Sequence, residues 1–223
     1  MTPTYQDSFE TGLGTIEILV LSPEGHGQTE HQNCGVTIQT STQKVQVVSF
    51  MLRNEWLPKG MSFKSSKGWA VRIEKTATGQ AASQIKIQLL NPNADTSWGP
   101  ATGECLDAIE INDEISHLYI GTEDSDALWA RAEEDDWMPK RFASELGLHR
   151  QKSIQFTEFI NFGLRTNVPQ LEVGERIYFH YLVAVNSNKL SQQHPNERDI
   201  AAWFAVDQTK RNLEEYFKEE YGS

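Results

Sequence analysis

"RIYFHYLVAVN", Arg176–Asn186, is the stretch on which the fold turns. It is apolar at odd and even positions alike, so an extended chain here carries apolar side chains on both faces. Such a strand has to be covered on both sides, as the central strand of a packed sandwich is. His180 lies in its middle, and the surroundings make it a core histidine rather than a catalyst. Just beyond comes "DIAAWFAVD", Asp199–Asp207. Ile200, Ala202, Phe204 and Val206 share one face of a strand there; Ala201, Trp203 and Ala205 share the other. We expect a second buried strand, antiparallel to the first, with a helix from Asp199 as the rival reading.

The same period of two runs through most of the chain. "GWAVRIEK" alternates Trp69, Val71 and Ile73 with Arg72 and Glu74, and "SQIKIQLL" alternates Ile85, Ile87 and Leu89 with Gln84, Lys86 and Gln88. Joined by "TATGQAA", the two read as a β-hairpin. "KVQVVSFMLRN" puts Val45, Val47 and Met51 on one face and Val48, Phe50 and Leu52 on the other, so both faces are expected to be buried. "GTIEILVLSPEG" reads as a strand ended by Pro23 and Gly25, and "SIQFTEFINFGL" as one with Ile154, Phe156, Ile160, Phe162 and Leu164 on one side and Glu158 among them. Helical signals are few. A short insert near 124–147 has Ser125 or Asp126 as N-cap, Pro139 opening a second turn and Gly147 closing it. "TKRNLEEYFKEEYG" places Leu213, Tyr216 and Phe217 at i, i+3 and i+4, a C-terminal helix near 209–221. The expected fold is therefore mainly β: a β-sandwich or jelly-roll-like single β-rich domain over 1–223 with those helical pieces added.

Composition narrows the function classes. A chain of 223 residues can bury a core without staples, and two cysteines, Cys34 and Cys105, are too few for a disulfide framework. No signal peptide opens the sequence and no apolar run is long enough to cross a bilayer, so the expectation is a cytoplasmic protein with no membrane partner. The net charge is −11, and Glu104–Asp136 holds twelve acids against one base, Arg131, while the rest of the chain is balanced. That field repels phosphate backbones, so no nucleic acid partner is expected; it would suit a basic protein partner, or serve only as a solubilising surface.

Three places could carry chemistry. "PEGHGQTEHQNCG", Pro23–Gly35, gathers Glu24, His26, Glu30 and His31, all metal-ligand types, but without the Cys pairs or the H-E-x-x-H helix of zinc sites, and His26, Glu30 and His31 are the metal candidates among them. A polar loop is the better reading. "NPNADTSWG" has the 1-3-5 spacing of a calcium loop in Asn91, Asn93 and Asp95, but Thr96 and Thr102 stand where a glycine and a glutamate are needed, so it reads as a turn with Trp98 exposed on it. The long loop after Asn186 carries Asn188, His194, Glu197, Arg198 and Asp199, and Trp203 follows. Amides, carboxylates and an aromatic face suit a sugar or another small polar ligand, so Trp98, Asn186, His194, Asp199 and Trp203 are the ligand-binding candidates. Nucleophile elbows, phosphate loops and dinucleotide fingerprints are absent. The sequence names no cofactor and does not set the oligomeric state.

Three functions fit, in this order. The first is a non-catalytic module binding a small polar ligand, such as a carbohydrate, or a protein partner. The second is an acidic protein-interaction module. The third is a metal-dependent hydrolase or cupin-like enzyme drawing His26, His31, His180 and Glu158 together.

Overall fold

The structure, a computed structural model, describes residues 1–223 except 26, 33–34, 80–82, 102, 104–105, 148–153, 188–199 and 222–223; for 32, 210–211 and 214–221 it describes the backbone alone. Its strands in chain order are β1 (Thr2–Thr11), β2 (Gly14–Ser22), β3 (Gln28–Gln32), β4 (Gly35–Gln39), β5 (Gln43–Phe50), β6 (Ser65–Lys75), β7 (Gln84–Leu90), β8 (Ser97–Pro100), β9 (Leu106–Asn112), β10 (Ser116–Glu123), β11 (Thr157–Ile160), β12 (Gly163–Asn167) and β13 (Arg176–Ser187). Two α-helices, α1 (Ser125–Glu134) and α2 (Ala201–Tyr221), join them. The strands form two antiparallel sheets, five strands in the order β1-β2-β7-β12-β11 and eight in the order β3-β4-β5-β6-β13-β10-β9-β8. The fold is a mainly-β sandwich.

Alternation builds the core between the sheets. Ile16, Ile18 and Val20 of β2 and Ile85, Ile87 and Leu89 of β7 face Trp69, Val71 and Ile73 of β6 and Ile177, Phe179, Tyr181 and Val183 of β13, all of them buried in one cluster. Burying these side chains removes apolar surface from water, the main force holding the two sheets face to face. As expected of a strand apolar on both faces, β13 is central, flanked by β6 and β10. Its second face, with Leu182 and Ala184, is buried against α2.

That covering helix corrects the reading of "DIAAWFAVD". The stretch is not a second strand but the start of α2, eight residues upstream of where the C-terminal helix was expected. Ala202, Ala205, Val206 and Leu213 are buried together, while Phe204 is only half-buried. Adjacent burial of Ala205 and Val206, with Ala202 and Leu213 one and two turns away, fits 100° per residue and not 180°. Close approach is secured by Gly121 on β10, where any Cβ would collide with Val206.

Other expectations need correcting for the same reason, that alternation fixes a strand but not its partner. β6 and β7 are not a hairpin; they lie in different sheets and face each other across the core. "SIQFTEFINFGL" is a hairpin of β11 and β12, turning at Asn161–Phe162 with Phe162 at φ 56°, not one strand. Both faces of β5 are buried as expected, but Met51 beyond its end is exposed. In the helical insert, Asp124 and not Ser125 or Asp126 caps α1, its carboxylate accepting from the N–H groups of Asp126 (3.0 Å) and Ala127 (2.9 Å). The turn after Pro139 is a 3-10 helix, Lys140–Ser144.

Candidate functional site

Two polar assemblies stand out, one closed and one open. The closed one forms where β10 runs into α1. The carboxylate of Glu123 takes Nη2 of Arg131 at 2.8 Å and Nδ1 of His180 at 2.7 Å, and accepts from the Thr122 hydroxyl at 3.0 Å and the His180 N–H at 3.1 Å. Arg131 also donates to the Tyr178 carbonyl at 3.0 Å and stacks 3.9 Å from the Tyr178 ring centre. Burial pushes the Glu123 carboxyl up, but His180 and Arg131 outweigh it and hold it down at about 2. Nε2 of His180 finds no hydrogen-bond partner among the described residues. A carboxylate-oriented imidazole is the form a general base takes. Here, however, the side chain is 3% exposed, and the two cavities described below are lined by other residues.

The open assembly is a cleft of about 500 Å³ at the edge of the sandwich, lined by Thr4, Tyr5 and Asp7 from β1, Thr29 and His31 from β3, and Val36, Ile38, Ser49 and Lys67 from β4 to β6. Strand register explains the set. Tyr5 and Asp7 pair with Val20 and Ile18, core-facing residues of β2, so they point inward. Thr29 and His31 pair with Ile38 and Val36 and therefore point inward too, whereas Glu30, between them, points away. Lys67 shares the inner face of β6 with Trp69.

At its floor, Asp7 meets Nζ of Lys67 at 2.6 Å and accepts from the Trp69 indole N–H at 2.8 Å and the Ser8 N–H at 2.8 Å. Burial raises the Asp7 carboxyl, but those hydrogen bonds win and it lies below its ordinary value. Burial first, and the Asp7 charge second, push the Tyr5 phenol up, so Tyr5 stays neutral. Because Lys67 neutralises Asp7, the floor offers fixed dipoles without net charge. The Thr29 and Ser49 hydroxyls and the His31 imidazole around it form no hydrogen bond with any described residue.

The residues singled out from sequence are placed apart. His26, His194 and Asp199 lie outside the described residues. His31 enters the cleft, and Glu30 turns to the other face of the same strand. His180 is in the closed cluster, and Glu158 sits on the edge strand β11, paired with Arg165. Among the described residues, no three His, Cys, Asp or Glu side chains gather into a set able to hold a metal ion. Glu24 of the opening loop is tied to the turn before β5 instead, accepting from the Ser41 hydroxyl at 2.7 Å and the Thr42 N–H at 3.2 Å.

Trp98 is not on a turn but on β8, half-buried, donating to Asn161 at 3.0 Å and tilted against Phe162 at 6.3 Å. Asn186 and Trp203 do share a face. Asn186 pairs with His117, His117 packs 6.0 Å from Tyr119, and Tyr119 packs 5.4 Å from Trp203. Asn186 is buried and donates to the Ser62 carbonyl at 3.0 Å. Sequence reasoning missed Tyr5, Asp7 and Lys67; a period of two on "TPTYQDSFET" would have put Tyr5 and Asp7 on one side, but nothing in sequence brings Lys67 to them.

Comparison with known proteins adds no family. No family model matches the chain, and no curated protein does. One solved structure it is similar to is described as "Putative kojibiose phosphorylase from human microbiome", at 9% identity and a TM-score of 0.34. The likeness covers 93% of this chain and 21% of that one, so the chain spans about a fifth of that protein's length. A likeness this low supports no inference about fold or function. No helix among the described residues is long and apolar enough to cross a membrane.

Proposed function

We propose that this chain is a non-catalytic β-sandwich module that binds a small, neutral, hydroxyl-rich ligand in the cleft between β1 and β3. The observation behind this is the cleft's chemistry: a neutralised Asp7–Lys67 floor, hydroxyl and imidazole groups at Thr29, Ser49 and His31 that form no hydrogen bond with any described residue, and an apolar wall of Val36 and Ile38. Polar groups that converge without net charge suit a polyol or sugar better than an ion, because a neutral ligand can exchange hydroxyl pairs with them while its C–H faces lie on the apolar wall. A volume of about 500 Å³ admits a mono- or disaccharide.

The test is a ¹H–¹⁵N titration with a panel of neutral mono- and disaccharides, following the Trp69 indole and the His31 and Ser49 amides. Saturable shifts at all three are expected, with H31Q weakening binding about tenfold through loss of one ligand hydrogen bond. Shifts confined to other regions, or none with any sugar, would overturn the reading. The cleft also lies between β1 and β3, each the edge strand of its own sheet. An extended peptide could therefore add to either edge, and that outcome would show as protection of the β1 and β3 amides instead.

A further inference from the structure

A second cavity, of about 360 Å³, lies between the end of α1 and the turn into β13. Asp135, Trp137, Met138, Pro139, Lys140 and Arg141 form one wall, and Gly174, Glu175 and Arg176 the other. In a chain of net charge −11, this cavity has three cations and two acids on its walls. One pair cancels: Arg141 clasps Glu175 with Nε at 2.7 Å and Nη2 at 2.8 Å, and its Nη2 also donates to the Gln170 carbonyl. Arg176 and Lys140 remain. Neither side chain has a hydrogen bond or ion pair with any described residue.

Arg176 is nonetheless held in place. Its guanidinium carbon lies 4.7 Å from the centre of the Trp137 ring, and that of Arg72 lies 5.1 Å from the same ring. Trp137 itself adopts φ 47°, a left-handed conformation that bulky residues rarely take. Its carbonyl accepts from the Tyr178 N–H at 3.1 Å, which ties the strained residue to β13. Local strain held by the surrounding structure is a mark of binding sites.

We propose that this cavity binds the oxyanion group, carboxylate or phosphate, of a small molecule, with Arg176 as the forked donor and Lys140 as the second cation. A guanidinium stacked on an aromatic ring keeps its N–H edge free, and that edge matches two oxygens of a planar or tetrahedral anion. The chain's net negative charge does not attract anions from a distance, so affinity comes from short-range hydrogen bonds and from immobilisation already present before the ligand arrives. The cavity is larger than the anion itself, leaving room for the body that carries it.

The experiment follows the Trp137 indole ¹H–¹⁵N signal during titration with sodium phosphate, sodium acetate and, at matched ionic strength, sodium chloride. Saturable shifts with phosphate or acetate but not chloride are expected, and whichever anion acts at the lower concentration identifies the group. R176Q and K140Q should each weaken the response about tenfold, and D135N, which removes the one uncancelled acid, should strengthen it. All three positions are exposed, and near-ultraviolet circular dichroism checks that each variant keeps its packing. Chloride shifting the signal as much as the oxyanions, or K140Q and R176Q both responding as wild type, overturns the proposal. Its failure leaves the sugar-cleft reading untouched, because the two cavities share no residue.

Discussion

Where β10 meets α1, the Glu123 and Arg131 side chains are 2% and 7% exposed; at the mouth of the sandwich, the Asp7 and Lys67 side chains are 28% and 19% exposed. Both carboxylates are held below their ordinary pKa by cations and N–H donors. The difference is what surrounds them. Glu123 is enclosed by its partners, with His180, Arg131, Thr122 and backbone taking its oxygens. Asp7 opens onto a cleft where the Thr29 and Ser49 hydroxyls and the His31 imidazole form no hydrogen bond with any described residue. An enclosed ion pair serves the architecture, since any ligand would have to dismantle it. A half-open pair beside unsatisfied hydroxyls can exchange partners with a ligand at little cost.

The largest test of that contrast is E123Q. The amide keeps the shape but leaves Arg131 a buried cation without its counter-charge, and breaking one partner of a buried pair costs about 3–5 kcal/mol. Urea denaturation should show that loss. The acid limb should change too. Glu123 contributes stability above its unfolded value of about 4.3, and this is lost as pH falls toward about 2, because the folded carboxyl takes its proton later than the unfolded one. E123Q should remove that part of the acid dependence. A loss under about 1 kcal/mol would mean that the cluster is not closed.

G121A comes next. A Cβ there meets Val206 of α2 and Leu106, so α2 has to shift; overpacking of this kind costs about 1–3 kcal/mol. K67M should cost less, about 1 kcal/mol or under, because Asp7 keeps the Trp69 and Ser8 N–H donors and part of its solvent. It should instead abolish the neutrality of the cleft and weaken sugar binding. If K67M destabilises as much as E123Q does, the open and closed assemblies are not different in kind.

These two assemblies also show what sequence could carry. Alternation in "RIYFHYLVAVN" was enough to place β13 at the centre of a sheet, because two apolar faces demand two coverings. It could not say that one covering is a helix. "DIAAWFAVD" satisfies both periods until Leu213 and Thr209 are included, and the choice then depends on the sheet beneath, where Gly121 leaves room for Val206. Strand pairing was less legible still: β6 and β7 are neighbours in sequence but opposite each other in space. The cleft was almost invisible. Asp7 and Lys67 are sixty residues apart, and only the packing of the edge strand β1 across from β6 of the other sheet brings them together. The imidazole of His31 marks it in sequence as a metal-ligand type, but it lies in the cleft for a different reason, its register with Val36.

Asp107 tests the contrast from the opposite sign. Burial, and then the nearby Asp124 charge, raise its carboxyl to about 6. Between about pH 4, where the unfolded side chain releases its proton, and about pH 6, the folded protein holds a proton that the unfolded chain has lost. Stability from this group is therefore present at low pH and falls as pH rises through that window. D107N should be more stable than wild type at pH 7, and its urea midpoint should fall less between pH 4 and 6. A midpoint unchanged at pH 7 would show that Asp107 is solvated and that Asp124 does not reach it.

The smallest effect is expected at Glu158, which completes the series as the fully open case. Its pair with Arg165 is 47% and 41% exposed on the edge strand β11, and Asn167 donates to the same carboxylate at 3.0 Å. Arg165 lowers the Glu158 carboxyl, yet water can replace each of these contacts as the side chains swing out. E158Q should leave the urea midpoint where it is at pH 7. If the ranking from Glu123 through Asp7 to Glu158 follows exposure, then an ion pair's place in this fold, rather than its length, decides whether it holds structure or meets a ligand. A Glu158 variant as damaging as E123Q would break that rule, and would mean that the β11–β12 hairpin depends on its edge charges to stay in the sheet.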